Sequence, residues 1–335
     1  MYQQGGIDHL RDQERALTEI ESPDDVIVKL KAVGLKDNDI CLRRGHAGEQ
    51  LPLPQIPAAD GAGIVIAVGS AVESLKPGDA VCLYPCLGCG QCEFCASDRE
   101  FVCAHAGGFA PCTEFIRVPA RHCYATPAGL SIEQAAAFPT AFLTAWRLLV
   151  TNAELKAGQW VLIVDIGSAV TTAALQLAKF LGARLIVTST SDEKLAKAKE
   201  HGADHGINCD NTDFAKEVRR LTAKHGVDVV VDSVGGDGWV KSLASLAKGG
   251  RLVTSGAAGG ATPPTDLRRI FWNDLKVFGS TLGSRAEFRQ VLSFLEVTRA
   301  KPIIDRIVPY EAAALAEQRD LEDSSFGKIV LRIGP

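Results

Sequence analysis

Several familiar signals are missing from this chain of 335 residues. Charge of one sign is not in excess: 36 Lys and Arg stand against 40 Asp and Glu, a net charge of −4 with a pI near 6.0. That balance gives no basic surplus for nucleic acid or an anionic membrane surface, so neither is expected as a partner. No apolar run approaches the roughly 20 residues that a spanning helix needs. Residues 1–14 are mostly polar and lack the apolar core of a secretion signal. Internal repeats and low-complexity segments are also lacking. These absences predict a soluble chain of the cytoplasm, a reducing compartment. What is present agrees with that: 46% hydrophobic and 23% charged residues suit a globular protein with a full core, and the length suits two domains.

Cysteine is plentiful, with ten in all. Four of them, Cys89, Cys92, Cys95 and Cys103, stand at C-x2-C-x2-C-x7-C. Thiolates are soft ligands that suit tetrahedral Zn2+, and four of them close the shell and leave no open position for chemistry. Two-residue spacings let consecutive Cys in a tight loop reach one ion, and the longer gap lets the chain swing round with the fourth. Disulfides or buried thiols are the competing reading. Without a secretion signal, spaced Cys favour metal, so the expectation is one structural zinc. Cys41, Cys82, Cys86, Cys112, Cys123 and Cys209 have no partner spacing and are expected to be buried free thiols.

Residues 1 to about 138 read as β-rich. Val26–Val33 alternates like a half-buried strand; Gly61–Gly69, Ala80–Tyr84 and Phe115–Pro119 are short strands punctuated by Gly and Pro. This texture predicts a barrel-like β domain. At Ser131-Ile132-Glu133-Gln134 it changes to a capping box and an apolar helical stretch running toward Leu149, interrupted at Pro139. Strands and helices then alternate: strands at Trp160–Val164, Arg184–Thr188, His205–Asn208, Val227–Asp232 and Arg251–Ser255, with helices over Ser168–Leu181, Asp192–His201, Asp213–His225 and Trp239–Leu246. Continuous Val/Ile runs separated by amphipathic helices predict a parallel sheet covered on both faces. A helix over Arg285–Thr298 and strands at Ile303–Val308 and Gly327–Arg332 close the chain.

A Gly-rich β domain carrying a four-Cys loop, followed by a doubly wound α/β domain, resembles the medium-chain dehydrogenase/reductase superfamily. The resemblance covers essentially the whole chain, including Val81–Cys103, Ala141–Trp146, Asp266–Phe271 and Phe326-Gly327-Lys328-Ile329-Val330-Leu331. The nearest branch is similar to zinc-containing alcohol dehydrogenases and quinone reductases. It implies an α/β fold with a GroES-like catalytic domain (1–138 and 284–335) and a Rossmann dinucleotide-binding domain (139–283). It also implies hydride transfer between a nicotinamide cofactor and a small-molecule carbonyl, alcohol or enone.

Two family sites depart from the pattern. Alcohol dehydrogenases of the family hold a catalytic zinc with Cys, His and a further Cys or acidic ligand. The matching positions here are Lys36, the pair Ala59-Asp60, and Thr140, with Asn38 where a proton-relay hydroxyl is usual. An ammonium, a methyl group and a hydroxyl do not replace thiolate and imidazole, so no catalytic zinc is expected. Chemistry then needs a donor near the developing oxyanion, for which Lys36 and His46 are the candidates, and the resemblance implies Thr144 near the nicotinamide as a further catalytic candidate. The competing readings are a Lys36–Asp37 or Lys36–Asp60 ion pair that only shapes the pocket, and a solvated His46. Arg43 and Arg44 read as surface charges.

The phosphate-binding turn is the second departure. A dinucleotide fold turns from first strand to first helix through a Gly-rich loop. Val164-Asp165-Ile166-Gly167-Ser168-Ala169-Val170-Thr171 keeps only Gly167, with Asp165, Ala169 and Thr171 where Gly is usual. Gly167, Ser168, Ala169 and Val170 remain the candidate phosphate contacts, at a helix N-terminus with a favourable dipole. Thr171 is expected to push the helix off the sheet. The second strand ends in Thr188-Ser189-Thr190-Ser191, not in the carboxylate that binds a ribose in NAD enzymes. With Ser191 or Asp192 capping the next helix, Ser189 and Lys194 are left for a 2′-phosphate, which predicts NADP(H), weakly bound. Val234, Ser255, Gly256 and Leu282 match stretches that line the nucleotide; ordinary strand-end turns are the alternative. A degenerate family member acting as a binding or regulatory protein is the competing function. The segment Lys276–Ser280 reads as an edge strand through which the chain forms a homodimer, or a tetramer of dimers.

Overall fold

The computed structural model of the protein describes residues 14, 16–35, 60–105, 112–312 and 325–334. The chain divides into two compact units, Met1–Thr140 with Ser284–Pro335, and Ala141–Gly283. The first contributes strands β1 (Asp25–Gly34), β2 (Asp60–Val68), β3 (Ala80–Leu83), β4 (Phe115–Pro119) and β5 (Cys123–Ala125). The second holds β6 (Trp160–Ile163), β7 (Arg184–Ser189), β8 (His205–Asn208), β9 (Val227–Val231), β10 (Leu246–Thr254) and β11 (Lys276–Gly279). The return to the first unit adds β12 (Ile304–Pro309) and β13 (Lys328–Arg332).

The first unit is built on a seven-stranded sheet in the order β12-β13-β1-β2-β3-β5, with β4 also paired to β1. β1 is the hub, antiparallel to β2, β4 and β13. Its alternation drives this: Val26, Val28 and Leu30 turn into a core with Val65, Val81, Leu83, Val118 and Leu331. The helix Ile132–Ala137 starts on the expected capping box, in which Ser131 Oγ accepts the Gln134 N–H and Gln134 Oε1 accepts the Ser131 N–H. Pro139 does not simply kink this helix. It opens a second one, Pro139–Trp146, at the first position, where its missing N–H costs nothing.

The second unit is a six-stranded sheet in the order β11-β10-β9-β6-β7-β8, and every pairing is parallel. Read from β8, this is the doubly wound order 3-2-1-4-5-6, with the order reversing between β6 and β9. β6, β7 and β9 are almost wholly buried, as their unbroken Val, Ile and Leu runs require. The helix expected over Asp213–His225 ends earlier, spanning Phe214–Leu221. Thr222 stops it: its hydroxyl donates to Val218 O at 2.7 Å and accepts the Gly226 N–H at 2.9 Å, and Ala223 and Lys224 follow with positive φ.

Candidate active site

The four-Cys loop closes on itself through a single helical turn, Glu93–Ala96, and a 3-10 turn, Glu100–Val102. The sulfurs of Cys89, Cys92, Cys95 and Cys103 all lie within 4.8 Å of one another, and those of Cys89 and Cys95 are 3.9 Å apart. Tetrahedral zinc with bonds of about 2.3 Å sets sulfurs about 3.8 Å apart, so the donor set fits Zn2+. The backbone N–H groups of Gln91 and Cys92 bring the Cys89 thiol down to about 6. Burial instead pushes the Cys95 thiol up to about 12. A dication bound there would draw the protons from all four thiols and offset their mutual repulsion. The loop is anchored in its own unit: Asp98 Oδ2 accepts the Ala286 N–H at 3.0 Å, and Arg285 Nε lies 2.9 Å from Glu100 Oε1. Among the other cysteines, Cys82, Cys86 and Cys123 are buried, whereas Cys112 and Cys209 are only partly so; Cys41 lies outside the described residues.

Asp60, which the resemblance matches to the Glu beside the family's His ligand, and Thr140, matched to the third ligand, are brought into contact. Asp60 Oδ1 accepts both the Thr140 hydroxyl, at 2.5 Å, and its N–H, at 3.0 Å. Asp60 Oδ2 accepts from Lys328 Nζ at 2.8 Å. Asp60 and Lys328 are 0% and 3% exposed. Gly34 makes room for the lysine, since a Cβ there would sit 2.6 Å from Lys328 Cε. The cation that pairs with Asp60 among the described residues is Lys328, which lies in the family stretch Phe326–Leu331 and was assigned no role from sequence. Its signal was a lysine at an inward position of the strand Lys328–Arg332, where a charge needs a buried partner. Lys36, Asn38, His46 and Ala59 lie outside the described residues. Thr144 is buried on Pro139–Trp146, at 4% exposure.

In the second unit, β6 runs through the turn at Gly167 into the helix Ala169–Phe180, whose N-cap is Ser168. Thr171 does not act through its bulk. Its hydroxyl accepts the Gly167 N–H at 3.1 Å, and its own N–H donates to Ser168 Oγ at 3.2 Å. Thr171, Thr172, Ala173 and Ala174 are all buried, so the helix seats with the threonine folded into its cap. Two further donors are taken: the Asp165 N–H by Thr188 Oγ1 and the Ile166 N–H by Thr188 O. The N–H groups of Ala169 and Val170 are first-turn donors, which a helix leaves without intrahelical partners. Asp165 itself has φ +57°.

Ser189 and Lys194 are not left open as the sequence suggested. Ser189 is 2% exposed and its Oγ accepts the Ser191 N–H at 3.1 Å. Ser191 caps the helix Asp192–Glu200 by accepting the Lys194 N–H. The Lys194 side chain is 4% exposed and folds back over the turn, so that a Cβ on Gly167 would meet its Nζ at 3.0 Å. The β7 end, the Gly167 turn and Lys194 therefore form one cluster beside the β6/β9 switch point. Val234 follows β9, Ser255 and Gly256 follow β10, and Leu282 follows β11. The switch point and the first-turn donors fit a dinucleotide; the occupied Gly167 N–H removes one contact from the cradle.

Comparison with known proteins agrees with this architecture. Residues 22–128 match the family described as "Alcohol dehydrogenase GroES-like domain" and residues 169–297 the family "Zinc-binding dehydrogenase". The chain is 32% identical over 343 aligned residues to a zinc-type alcohol dehydrogenase-like protein of Schizosaccharomyces pombe, covering 98% of this chain and 96% of that one. It is 26% identical to a quinone oxidoreductase of Homo sapiens, covering 99% and 96%. A crystal structure of an NAD-dependent alcohol dehydrogenase superposes with a TM-score of 0.93 at 37% identity, covering 100% of this chain and 98% of that one. Two domain matches in this order, with full-length relatives of both kinds, make the chain an oxidoreductase of the medium-chain dehydrogenase/reductase superfamily, in its zinc-type alcohol dehydrogenase and quinone reductase-like branch.

Proposed function

We propose that this protein moves a hydride between NADP(H) and a small carbonyl, alcohol or α,β-unsaturated carbonyl compound, without a catalytic zinc. The observation that carries the zinc-free reading is the Asp60 carboxylate, whose two oxygens are engaged by Lys328 and Thr140. The cofactor, when bound, supplies the hydride-carrying nicotinamide. The residues of the chain bind and orient it. The first-turn N–H groups of Ala169 and Val170, with Ser168, face the pyrophosphate. The hydroxyl-lined β7 end receives the 2′-phosphate, with Lys194 turning from Gly167 to meet it. Lys36 and His46 are the candidate donors to the substrate oxygen, and Thr144 lies near the nicotinamide. Zinc in the four-Cys loop acts as a staple. A homodimer or a tetramer of dimers in the cytoplasm completes the proposal.

Two specific observations favour other readings. A structural relative is an NAD-dependent alcohol dehydrogenase, which keeps NAD(H) as the competing cofactor. The Gly167 N–H is already taken by Thr171, which favours a binding protein that has lost its cofactor. Titration of intrinsic Trp fluorescence with NADPH and NADH separates all three. NADPH is expected to quench at the lower concentration, followed by NADPH oxidation with a panel of aldehydes and enones. Quenching by neither nucleotide would leave the binding-protein reading standing.

A further inference from the structure

Two turns at the carboxyl ends of β9 and β10 are locked to each other. The Gly259 N–H donates to Val234 O at 2.7 Å, the Gly236 N–H to Gly260 O at 3.0 Å, and the Ala258 N–H to Ser233 O at 3.3 Å. The hydroxyls of Ser233 and Ser255 lie 3.2 Å apart. Only glycine fits this contact. A Cβ on Gly235 would lie 2.6 Å from Gly260 O and one on Gly236 2.3 Å from Gly259 O, and both residues have positive φ. Gly256–Gly259 are nevertheless exposed. The result is a backbone ledge, tied from within and open outward, on the side of the sheet where open α/β folds bind ligands.

Asp232 holds this ledge from beneath. It is 0% exposed. Its Oδ1 accepts the N–H groups of Val234, at 2.9 Å, and Gly235, at 3.0 Å. Its Oδ2 accepts the hydroxyl of Ser242, at 2.6 Å, from the helix Trp239–Ser245. The two peptide groups it grips carry the carbonyls of Ser233 and Val234, and those are the carbonyls that receive Ala258 and Gly259 from the other turn. One carboxylate therefore orients both turns. Its grip on the second turn passes through those two peptide groups, and burying a carboxylate without a cation is costly unless several donors meet it.

A dinucleotide spans two mononucleotide-binding halves. If the pyrophosphate sits at the Ala169–Phe180 helix and the 2′-phosphate at the β7 end, the remaining half lies over β9 and β10. We infer that Asp232 is a positioning residue, which, locked by Ser242, fixes the ledge that seats the nicotinamide half of the cofactor without touching it. This rests on the oxidoreductase reading given above.

The test compares NADPH with adenosine 2′,5′-bisphosphate, which carries only the adenine half, for wild type, Asp232→Ala, Asp232→Asn and Ser242→Ala. Asp232→Ala is expected to weaken NADPH about tenfold or more, the scale of losing hydrogen bonds to a charged group, and to leave the bisphosphate unchanged. Asp232→Asn keeps one oxygen for both N–H groups and turns its amide to the Ser242 oxygen, so it should bind NADPH close to wild type. Ser242→Ala should fall between, and it decides the matter if Asp232→Ala does not fold. Equal affinity of wild type and the alanine variants for NADPH overturns the inference alone. So does an equal loss for both ligands, which would mark Asp232 as merely structural. A wild type that binds the bisphosphate but not NADPH or NADH also removes it. Wild type binding none of them removes the oxidoreductase reading, and this inference with it.

Discussion

Lys328 Nζ lies 2.8 Å from Asp60 Oδ2, a residue 268 positions away in the chain, and neither side chain is more than 3% exposed. Such a pair is weak evidence of net stability but is costly to break on one side. Lys328→Met leaves the buried Asp60 carboxylate without its cation, held only by the Thr140 donors, and is expected to lower unfolding stability by about 3–5 kcal/mol. Adding Asp60→Asn removes the orphaned charge and should restore most of that loss. Urea unfolding of the two single variants and the double variant gives the cycle. A single-variant cost below about 1 kcal/mol would mean that water reaches the site.

One zinc per chain is the expected metal content, held by Cys89, Cys92, Cys95 and Cys103. Cys92→Ser should lower the thermal midpoint and the bound zinc together, because a closed thiolate site contributes folding energy. Metal analysis of the purified protein checks this. Two ions per chain would mean that residues around Asp60 hold a second, against the zinc-free reading.

His122 is fully buried, and burial, with Arg121 and Arg285 nearby, pushes its pKa down to about 3. The Cys86 backbone acts in the opposite sense, and the Tyr84 ring lies 5.8 Å away. An unfolded His titrates near 6.5. Between pH about 6.5 and 3 the unfolded chain therefore binds one proton more than the folded one. The contribution is fully present above that window and is lost as pH falls through it, by about 1.4 kcal/mol per pH unit for one proton. His122→Gln should flatten the acid side of the stability curve by that slope. An unchanged slope would show that His122 takes up its proton in the native fold.

Much of the fold could be read from local pattern. Phe115–Pro119 and His205–Asn208 are strands over the residues that alternation and Gly/Pro punctuation marked out, and the helix Arg285–Thr298 has the expected bounds. What escaped was whatever depends on a side chain choosing a partner. Periodicity puts Lys328 on an inward face but cannot name Asp60. Thr171 was counted for its volume, whereas its hydroxyl decides its role by taking the Gly167 N–H. Thr222 ends a helix through two hydrogen bonds, four residues before the Gly226 that marks the turn. Asp232 reads as one more polar residue at a strand end until its three donors are seen together.

Assembly is the fourth test. β11 is an edge strand, paired to β10 on one side and without a second partner among the described residues. Val277 on it is 41% exposed, and Phe271 and Trp272 just before it are 61% and 77% exposed. An open apolar edge is a liability in a monomer, and a two-fold axis that continues the sheet would cover it. Light scattering at micromolar concentration is expected to give a dimer or a tetramer, and Val277→Lys with Trp272→Glu should shift it toward monomer. A monomeric wild type overturns the proposal.

The cofactor prediction is the most exposed. NADPH should bind more tightly than NADH, and both weakly. The preference rests on Ser189 ending β7 where a carboxylate would repel a 2′-phosphate, and on Lys194 one turn further on. Ser189→Asp should shift preference toward NADH, and Lys194→Ala should cost NADPH more than NADH, since a charge-assisted contact to phosphate is the stronger kind. The weakness has a local cause. Thr171→Gly frees the Gly167 N–H. Asp165→Gly removes an anion and relieves a left-handed conformation worth about 1–2 kcal/mol. Ala169→Gly lets the backbone approach more closely. The three together should tighten NADPH by about tenfold, the value of one recovered charge-assisted bond. Tight NADPH binding by wild type, with no gain from the glycine variants, would show that the first-turn N–H groups of Ala169 and Val170 suffice and that Thr171 does no harm. If neither nucleotide binds even to the glycine variants, the turn is not what keeps the cofactor out, and the hydride-transfer proposal falls with it.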